Sequence, residues 1–455
     1  MDSNQKLSPL IPAVASGIIW GSGELINKQL IKAVFFFALQ IALVAIELLT
    51  GQYFTGSGSY NIRENGGFFI KGIWGIITLG TQPRKMTLAG LTGGDHSIVL
   101  LINGIIALLV CLIFIAVYIW NIRDAYNTCK EYNNTQVRLS TRNYLKKLWD
   151  SMFHYIVLLP AIGLLIMFIL MPILFSLLVA FTNYTKSNMP PTNLVSWVGL
   201  KNFNNLAVLP IWSSTFIGVF IWTIVWAVLS TATCFFGGFF QAVMVNNRRV
   251  KLKRFWRGIY ILPWAIPGFI SLLVFRSIFN GQFGPLSQFF LDIGLTSTRI
   301  SWFSDSNNPG LARATLLVVN LWLGFPYFMA LMSGVMTGLS EEVFEAARID
   351  GAKPRQEFWK ITFPLVLQAT APLLIMSFAG NFNNFGVIYF FTEGGPANPN
   401  YQFAGYTDIL ISWIYKLTRD QQMYNMASVM SILIFMIVGS ISLINLRRTR
   451  AFKEE

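Results

Sequence analysis

Asn320, Gly324 and Tyr327 fall at i, i+4 and i+7 within one apolar run, and Ser377, Asn381 and Asn384 repeat that spacing in the next. On helices, each trio occupies a single face. Amides and hydroxyls both donate and accept hydrogen bonds, so the two stripes suit a neutral, hydroxyl-rich ligand such as a sugar. Tyr327, Phe382, Phe385 and Trp264 offer flat apolar faces for the C–H side of a pyranose ring. No charge stands in either stripe, which argues against an anionic or cationic ligand. A second reading fits the same residues: interhelical hydrogen bonds of about 0.6–2 kcal/mol each that tie spans together. The stripes alone do not separate the two.

The elements that must carry these stripes follow from composition. The chain of 455 residues is 54% hydrophobic and only 12% charged, whereas soluble domains carry about 25% charged residues. Lipid therefore has to be its solvent. The apolar residues gather into runs of roughly 20, the length that about 30 Å of hydrocarbon asks of a helix. They lie near Ala33–Leu49, Ile98–Trp120, Ile156–Phe181, Thr215–Val245, Ile259–Phe279, Leu316–Met336, Leu367–Phe391 and Met426–Leu446. The expected fold class is all-α, a polytopic membrane protein with about eight transmembrane helices. Leu10–Trp20, broken by Pro12 and Gly17, reads as an interfacial helix, and Phe68–Leu79 and Pro210–Trp212 are too short to cross.

The net charge of +14 is not one basic patch, so nucleic acid is not implied. Basic residues alternate between loops, which is a topology signal. Three clusters fall on one side: Arg123, Lys130, Arg138, Arg142, Lys146 and Lys147; Arg248, Arg249, Lys251, Lys253, Arg254 and Arg257; and Arg447, Arg448, Arg450 and Lys453. The opposite loops, around 182–210, 280–313 and 392–424, hold only Lys186, Lys201, Arg299, Arg313, Lys416 and Arg419. Both termini are expected to be cytoplasmic, with the segment 51–97, carrying Arg63, Lys71, Arg84 and Lys85, as the exception to the rule. The organisation expected is a cytoplasmic N-terminus with an interfacial helix (1–32), a two-span extension and linker (33–150), a six-span core (151–447) and a cytoplasmic tail (448–455).

Much chemistry is excluded. Cys111 and Cys234 lie in apolar runs and Cys129 in an expected cytoplasmic segment, so no disulfide framework arises. His96 and His154 have no spaced carboxylate or cysteine companions, and no metal site or cofactor is expected. The middles of the last six spans carry no Asp or Glu, against an ion-coupled transporter. Glu47 sits near a helix end and Arg276 near an outer boundary, where each can snorkel. No acidic cluster marks a membrane-embedded enzyme. With no G-x-x-x-x-G-K-[ST], the chain cannot cradle nucleotide phosphates, and any ATP must be bound by a partner.

Residues 339–364 have the character of a docking surface for such a partner. Ser340 can cap a short helix in which Val343, Phe344, Ala347 and Ile349 are able to bury, with Ala346 and Ala347 small enough for close approach. Gly351 ends that helix, a second runs from Pro354 to Ile361, and Pro364 is expected to mark the turn into the membrane.

Glu345-Ala346-Ala347, then Gly351, then Ile361-Thr362-Phe363-Pro364 resemble the coupling loop of bacterial ABC importer permeases, whose pattern is E-A-A, three residues, G, nine residues, I-x-L-P. Phe363 departs from the usual Leu and leaves the seat apolar. Asn320 to Tyr327, Ser377 to Phe385, Gly394-Gly-Pro396 and Ala404-Gly-Tyr-Thr-Asp408 are similar to the larger permease of maltose/maltodextrin importers, with the likeness densest from Trp256 onward. The resemblance implies the type I ABC importer fold, a second permease as heterodimer partner, two ATP-binding ATPase subunits, an extracellular sugar-binding protein, and an oligosaccharide passed through a bacterial cell membrane. It implies substrate contacts at Trp264, Asn320, Leu323, Gly324, Tyr327, Ser377, Asn381 and Asn384. It also implies ATPase coupling through Glu345, Ala346, Ala347, Gly351, Ile361 and Pro364. Three positions depart from the enteric pattern: Trp264 for Tyr, Gly268 for Ser and Gly380 for Phe. The loop Thr182–Leu209 lacks the large folded insertion of Gram-negative relatives. Glu393–Pro396 fits either delivery of sugar by a binding protein or a plain turn.

Overall fold

The structure, a computed structural model, describes residues 7–53, 61–87, 90–91, 93–136, 141–247 and 249–448. Of the basic residues used for orientation, Arg138, Arg248, Arg450 and Lys453 lie outside them. The chain forms two compact units, Met1–Gly199 and Leu200–Glu455. Among the described residues six helices are long and apolar enough to cross a membrane, and a bent pair makes a seventh span. Tyr424–Arg448, apolar through Ser440, stands where the eighth is expected. The protein is all-α; its described strands are the two-residue pair Met86–Thr87 and Gly90–Leu91.

In the first unit Leu30–Thr50 runs antiparallel to Ser97–Thr135. Lys32 pairs with Asp124, and Phe36 meets Trp120 edge-on at 5.4 Å. Glu47 does not snorkel. Its carboxylate accepts from the backbone N–H of Gly67 at 3.1 Å and of Phe69 at 2.7 Å, capping the helix Phe68–Thr78, where orphan donors need an acceptor. That apolar helix packs on the start of Ser97–Thr135 through small residues: a Cβ on Gly72 would stand 2.5 Å from that of Ala107. Leu10–Ile18 forms as a helix and lies on Ser97–Thr135, where Tyr118 Oη donates to Gly17 O at 2.9 Å. Glu24 is fully buried, accepting from Ser16 Oγ and Asn121 Nδ2, and burial pushes its carboxyl above the usual range.

In the second unit the fourth span, Pro210–Asn246, and the sixth, Pro309–Thr337, are continuous and share the core. Pro210 at the first helical position explains why Pro210–Trp212 is simply the start of the fourth span. Trp226, Leu316, Val319, Ile388 and Phe391 form one apolar cluster, and Phe235, Phe239, Phe328, Met329 and Val366 another. The other spans deviate at some of their prolines, while Pro160, Pro263 and Pro372 stay inside helices. The fifth is two helices, Lys253–Ala265 and Gly268–Ile278, bent by 87°. Pro267 disfavours helical backbone at Ile266, which is extended at φ −99°. The expected turn at Pro364 is absent, because the chain stays helical from Pro354 to Phe382. The π-helical segment Phe358–Thr362 widens the turn before Pro364, moving its ring off the carbonyl four residues back, and Ile166–Leu170 does the same before Pro172. The seventh span ends at Phe382, not Phe391. Asn383 breaks it, and Phe385–Val387 and the π-helical Ile388–Thr392 follow.

Candidate functional site: a cavity between two broken spans

The breaks in the fifth and seventh spans face each other across a cavity of about 490 Å³. Trp264, Ile266, Pro267 and Gly268 line it from one break, Asn384, Gly386 and Phe390 from the other, and Leu323 from the sixth span. No charged side chain lines it. Irregular backbone at membrane depth is tolerated only where it is buried in protein or lines a cavity, and this one meets that condition. Trp264 is 57% exposed and stacks on Tyr327, rings 5.7 Å apart and 27° from parallel. Asn384 Oδ1 accepts from Val387 N at 3.4 Å, so its Nδ2, which has no partner among the described residues, is a side-chain donor for whatever enters. The surface is thus aromatic and aliphatic with an amide, complementary to a neutral ring edged with hydroxyls.

The two stripes do not converge as sets. Asn320 is 5% exposed and faces the fourth span, its Nδ2 3.7 Å from Cys234 Sγ. A Cβ at Gly324 would stand 2.5 Å from the same sulfur, so this glycine permits close approach of the fourth and sixth spans. Asn381 Nδ2 donates to Thr231 Oγ1 at 3.0 Å, and its carbonyl accepts from Trp226 Nε1 at 3.0 Å, again toward the fourth span. Asn384 is not on a helical face with Asn381, because the break at Asn383 comes between them. Ser377 is half-buried and lines no part of the cavity. Trp264, Leu323 and Asn384 are therefore brought together, with Tyr327 behind Trp264, while Asn320, Gly324 and Asn381 bind spans to one another. A Cβ at Gly268 or Gly380 would meet nothing within 4 Å.

Sequence reasoning missed Ile266, Pro267, Phe269, Leu272, Gly386, Val387 and Phe390 as lining residues. The signal was present in Ile266-Pro267-Gly268 and Asn383-Asn384, helix breakers inside apolar runs.

At the end of this unit reached by the C-terminus of the sixth span, Glu341–Ile349 and the helix from Pro354 form a helix-turn-helix. Ser340 holds the N-cap position but makes no side-chain cap bond; Glu341 and Glu342 occupy the first turn, where the helix dipole favours them. Phe344 and Ala347 are half-buried, whereas Val343 and Ile349 are 45% and 86% exposed. Glu345 and Ala346 are exposed beside them. Gly351 takes φ +78°, a left-handed turn suited to glycine, and Arg348 Nε reaches Glu357 at 3.2 Å across the turn. Ile361 lies in the π-helical segment and Pro364 opens the next stretch.

At the opposite end Gly394-Gly-Pro396 and Ala404–Asp408 fold into one knot. Asp408, fully buried, accepts from Gly405 N and Ser412 Oγ, each at 2.7 Å, and pairs with Lys416 at 2.6 Å. Burial holds its carboxyl above the ordinary range against the pull of Lys416. A Cβ on Gly394 would stand 2.2 Å from Asp408 Oδ1, so the turn closes directly over the carboxylate. Arg276 does not simply snorkel: it pairs with Glu393 at 2.6 Å.

The family model for the binding-protein-dependent transport system inner membrane component matches residues 234–451. The galactooligosaccharides transport system permease protein GanP of Bacillus subtilis (strain 168) is 38% identical over 97% of this chain and 98% of its own length. The maltodextrin transport system permease protein MdxF of the same organism is 37% identical over 96% and 95%. The maltose/maltodextrin transport system permease protein MalF of Salmonella typhimurium is 38% identical over 56% of this chain and 49% of its own length. Among solved structures, a bacterial ABC transporter involved in the import of the acidic polysaccharide alginate superposes with a TM-score of 0.53 at 21% identity, covering 68% of this chain and 99% of that one, a likeness of fold. Identity of this order along nearly the whole chain, on a fold of broken and continuous spans, makes the protein a member of the family of binding-protein-dependent transport system inner-membrane components.

Proposed function

We propose that this chain is the larger permease subunit of an ATP-binding-cassette importer and passes a neutral oligosaccharide of the maltodextrin type across a bacterial plasma membrane. The observation that carries the reading is the uncharged cavity of about 490 Å³ between the breaks of the fifth and seventh spans, with Trp264 as its aromatic wall. Trp264, Leu323 and Asn384 contact the sugar, Tyr327 backs Trp264, and Asn320, Gly324, Ser377 and Asn381 keep the frame around it. The six-span core, 151–447, does this work, the two-span extension, 33–150, precedes it in the chain, and both termini are cytoplasmic.

The partners are a second permease, two ATPase subunits and an extracellular binding protein. Glu345, Ala346, Ala347 and Gly351, with exposed Val343 and Ile349, present an apolar and small-residue surface to the ATPase, and the continuous helix through Ile361 and Pro364 carries its motion into the seventh span. Closing of the ATPases on ATP opens the cavity outward, and hydrolysis returns it inward.

A galactooligosaccharide is the second reading, favoured by the 38% identity to GanP, which the 37% to MdxF does not outweigh. ATP-dependent uptake of labelled maltotriose into proteoliposomes holding the whole complex, with a galactooligosaccharide as competitor, tests both. Uptake that resists the competitor and falls at least about tenfold in Trp264→Ala, roughly 1.4 kcal/mol of barrier, supports the α-glucan. Uptake of the galactooligosaccharide alone replaces the sugar, and uptake indifferent to Trp264→Ala removes the cavity from the pathway.

A further inference from the structure

A second recess lies beyond the cavity. It measures about 440 Å³, within the range of small-molecule sites, and belongs to the same unit. The Gly268–Ile278 helix joins the two: Gly268 and Leu272 line the cavity, whereas Arg276, eight residues past Gly268 and about 12 Å along the helix, lines the recess. Consecutive residues of the other wall divide in the same way, Phe390 to the cavity and Phe391 to the recess. The recess therefore stands on the side of the cavity away from the coupling loop, where an incoming ligand passes before reaching Trp264.

Its chemistry differs from that of the cavity. Phe303, half-buried, supplies an apolar face, and the fully buried Phe391 backs it edge-on at 5.1 Å. Around them stand Arg276, Arg299, Ser301 and Ser304. Arg276 engages Glu393 through Nη1, and Arg299 engages Gln282 O through Nη1 and Gln288 Oε1 through Nη2. Each guanidinium carries five N–H groups, so both keep donors to offer. The Ser301 and Ser304 hydroxyls have no partner among the described residues, and both side chains are exposed. Glu393 neutralises Arg276 at 2.6 Å, which lowers the appeal of the recess to an anion while leaving donors and acceptors together.

We propose that this recess is an outer subsite that holds one sugar ring of the oligosaccharide, its apolar face on Phe303 and its hydroxyls on Arg276, Arg299, Ser301 and Ser304. The inference rests on the oligosaccharide reading above and adds a second station to it. A subsite that begins four residues, about 6 Å, past the cavity's Leu272 along one helix lets a longer chain occupy both at once, so it favours longer sugars over short ones.

The test uses the complete complex in nanodiscs, where both faces are open to reagent. Ser304→Cys is labelled with a charged maleimide, with the unsubstituted chain as background for Cys111, Cys129 and Cys234. Maltohexaose is expected to slow labelling about tenfold at ten times its dissociation constant, because only the unoccupied fraction reacts. That protection should persist in Ser304→Cys combined with Trp264→Ala, since the recess does not use Trp264. In uptake, Ser301→Ala with Arg299→Gln should raise the KM for maltohexaose more than that for maltose, with kcat unchanged. Normal uptake with no protection at Ser304→Cys overturns the subsite while the importer reading stands, and so does a failure of both Ser301→Cys and Ser304→Cys to react, which would mean that another subunit fills the recess. No uptake of any sugar by the complete complex removes the underlying reading instead.

Discussion

The fourth and sixth spans are unbroken helices whose polar groups turn toward one another, whereas the fifth and seventh break partway and open a cavity at the breaks. Both pairs come from apolar runs of similar length. The difference teaches that, in this protein, polar residues on a continuous helix serve cohesion, while a cavity opens where the helix stops. Backbone that leaves the helix at Ile266 or Asn383 exposes carbonyls and amides that need a partner, and a cavity admitting polar ligands is one place where they find it.

The largest effect should come from attacking the continuous pair. Gly324→Leu pushes a side chain into Cys234 Sγ, which would lie 2.5 Å from the new Cβ. Overpacking of this kind costs about 1–3 kcal/mol, read as a lower Tm of the purified complex. Gly324→Ala should cost less, and adding Cys234→Ala should recover part of that loss in a double-mutant cycle; additive costs would show that the two spans do not meet there. Healing a break instead should spare folding. Pro267→Ala removes the bias that holds Ile266 extended, and uptake should fall about tenfold, near 1.4 kcal/mol of barrier, with Tm unchanged. Unchanged uptake would mean that the bend is incidental.

The two asparagines of the seventh stripe sharpen the contrast further. Asn381→Ala loses the bond to Thr231 and should cost about 0.6–1.7 kcal/mol of stability with KM unchanged. Asn384→Ala should raise KM and, losing only the long 3.4 Å cap bond to Val387 N, lower Tm less than Asn381→Ala does. If the two variants behave alike, the break at Asn383 does not divide their roles.

The smallest effect concerns two loop carboxylates shifted in opposite directions. Burial opposes the charge on Asp95, but Arg63 at 2.9 Å and the amides of Thr81 and Gln82 outweigh it and hold the carboxyl below its ordinary 3.8. The stability Asp95 contributes is therefore full above that value and lost as pH falls below it. Asp408 is raised, so its folded form binds the proton more tightly and stability declines as pH rises from 3.8 through its folded value. Thermal scans across acid pH should show Asp95→Asn flattening the loss at the acid end and Asp408→Asn removing the decline above it.

How much of this was legible depends on the range of the interaction concerned. Burying the apolar runs is a local demand, since each must find about 30 Å of hydrocarbon, and the sequence shows it at once. The short helix Glu341–Ile349 and its end are legible for the same reason: Ser340, Gly351 and Pro354 act within a few residues of themselves. Val343 and Ile349, able to bury, stay exposed, because apolarity says that a side chain seeks cover, not that this chain provides it. The second stripe did not hold as one face because i, i+4, i+7 spacing assumes a helix that continues, and Asn383 ends it, while the first runs along a continuous helix whose neighbours the spacing does not name.

The sequence by itself thus determined that this protein is an all-α membrane protein, the chain regions that hold its spans, and that it carries no G-x-x-x-x-G-K-[ST] motif. Only the tertiary structure decided which polar groups face a cavity and which face another helix, that Gly394 and Asp408 belong to one knot, and that Arg276 meets Glu393. Those outcomes depend on which spans become neighbours and at what rotation, and no residue carries that information alone, because packing selects it from all of them together.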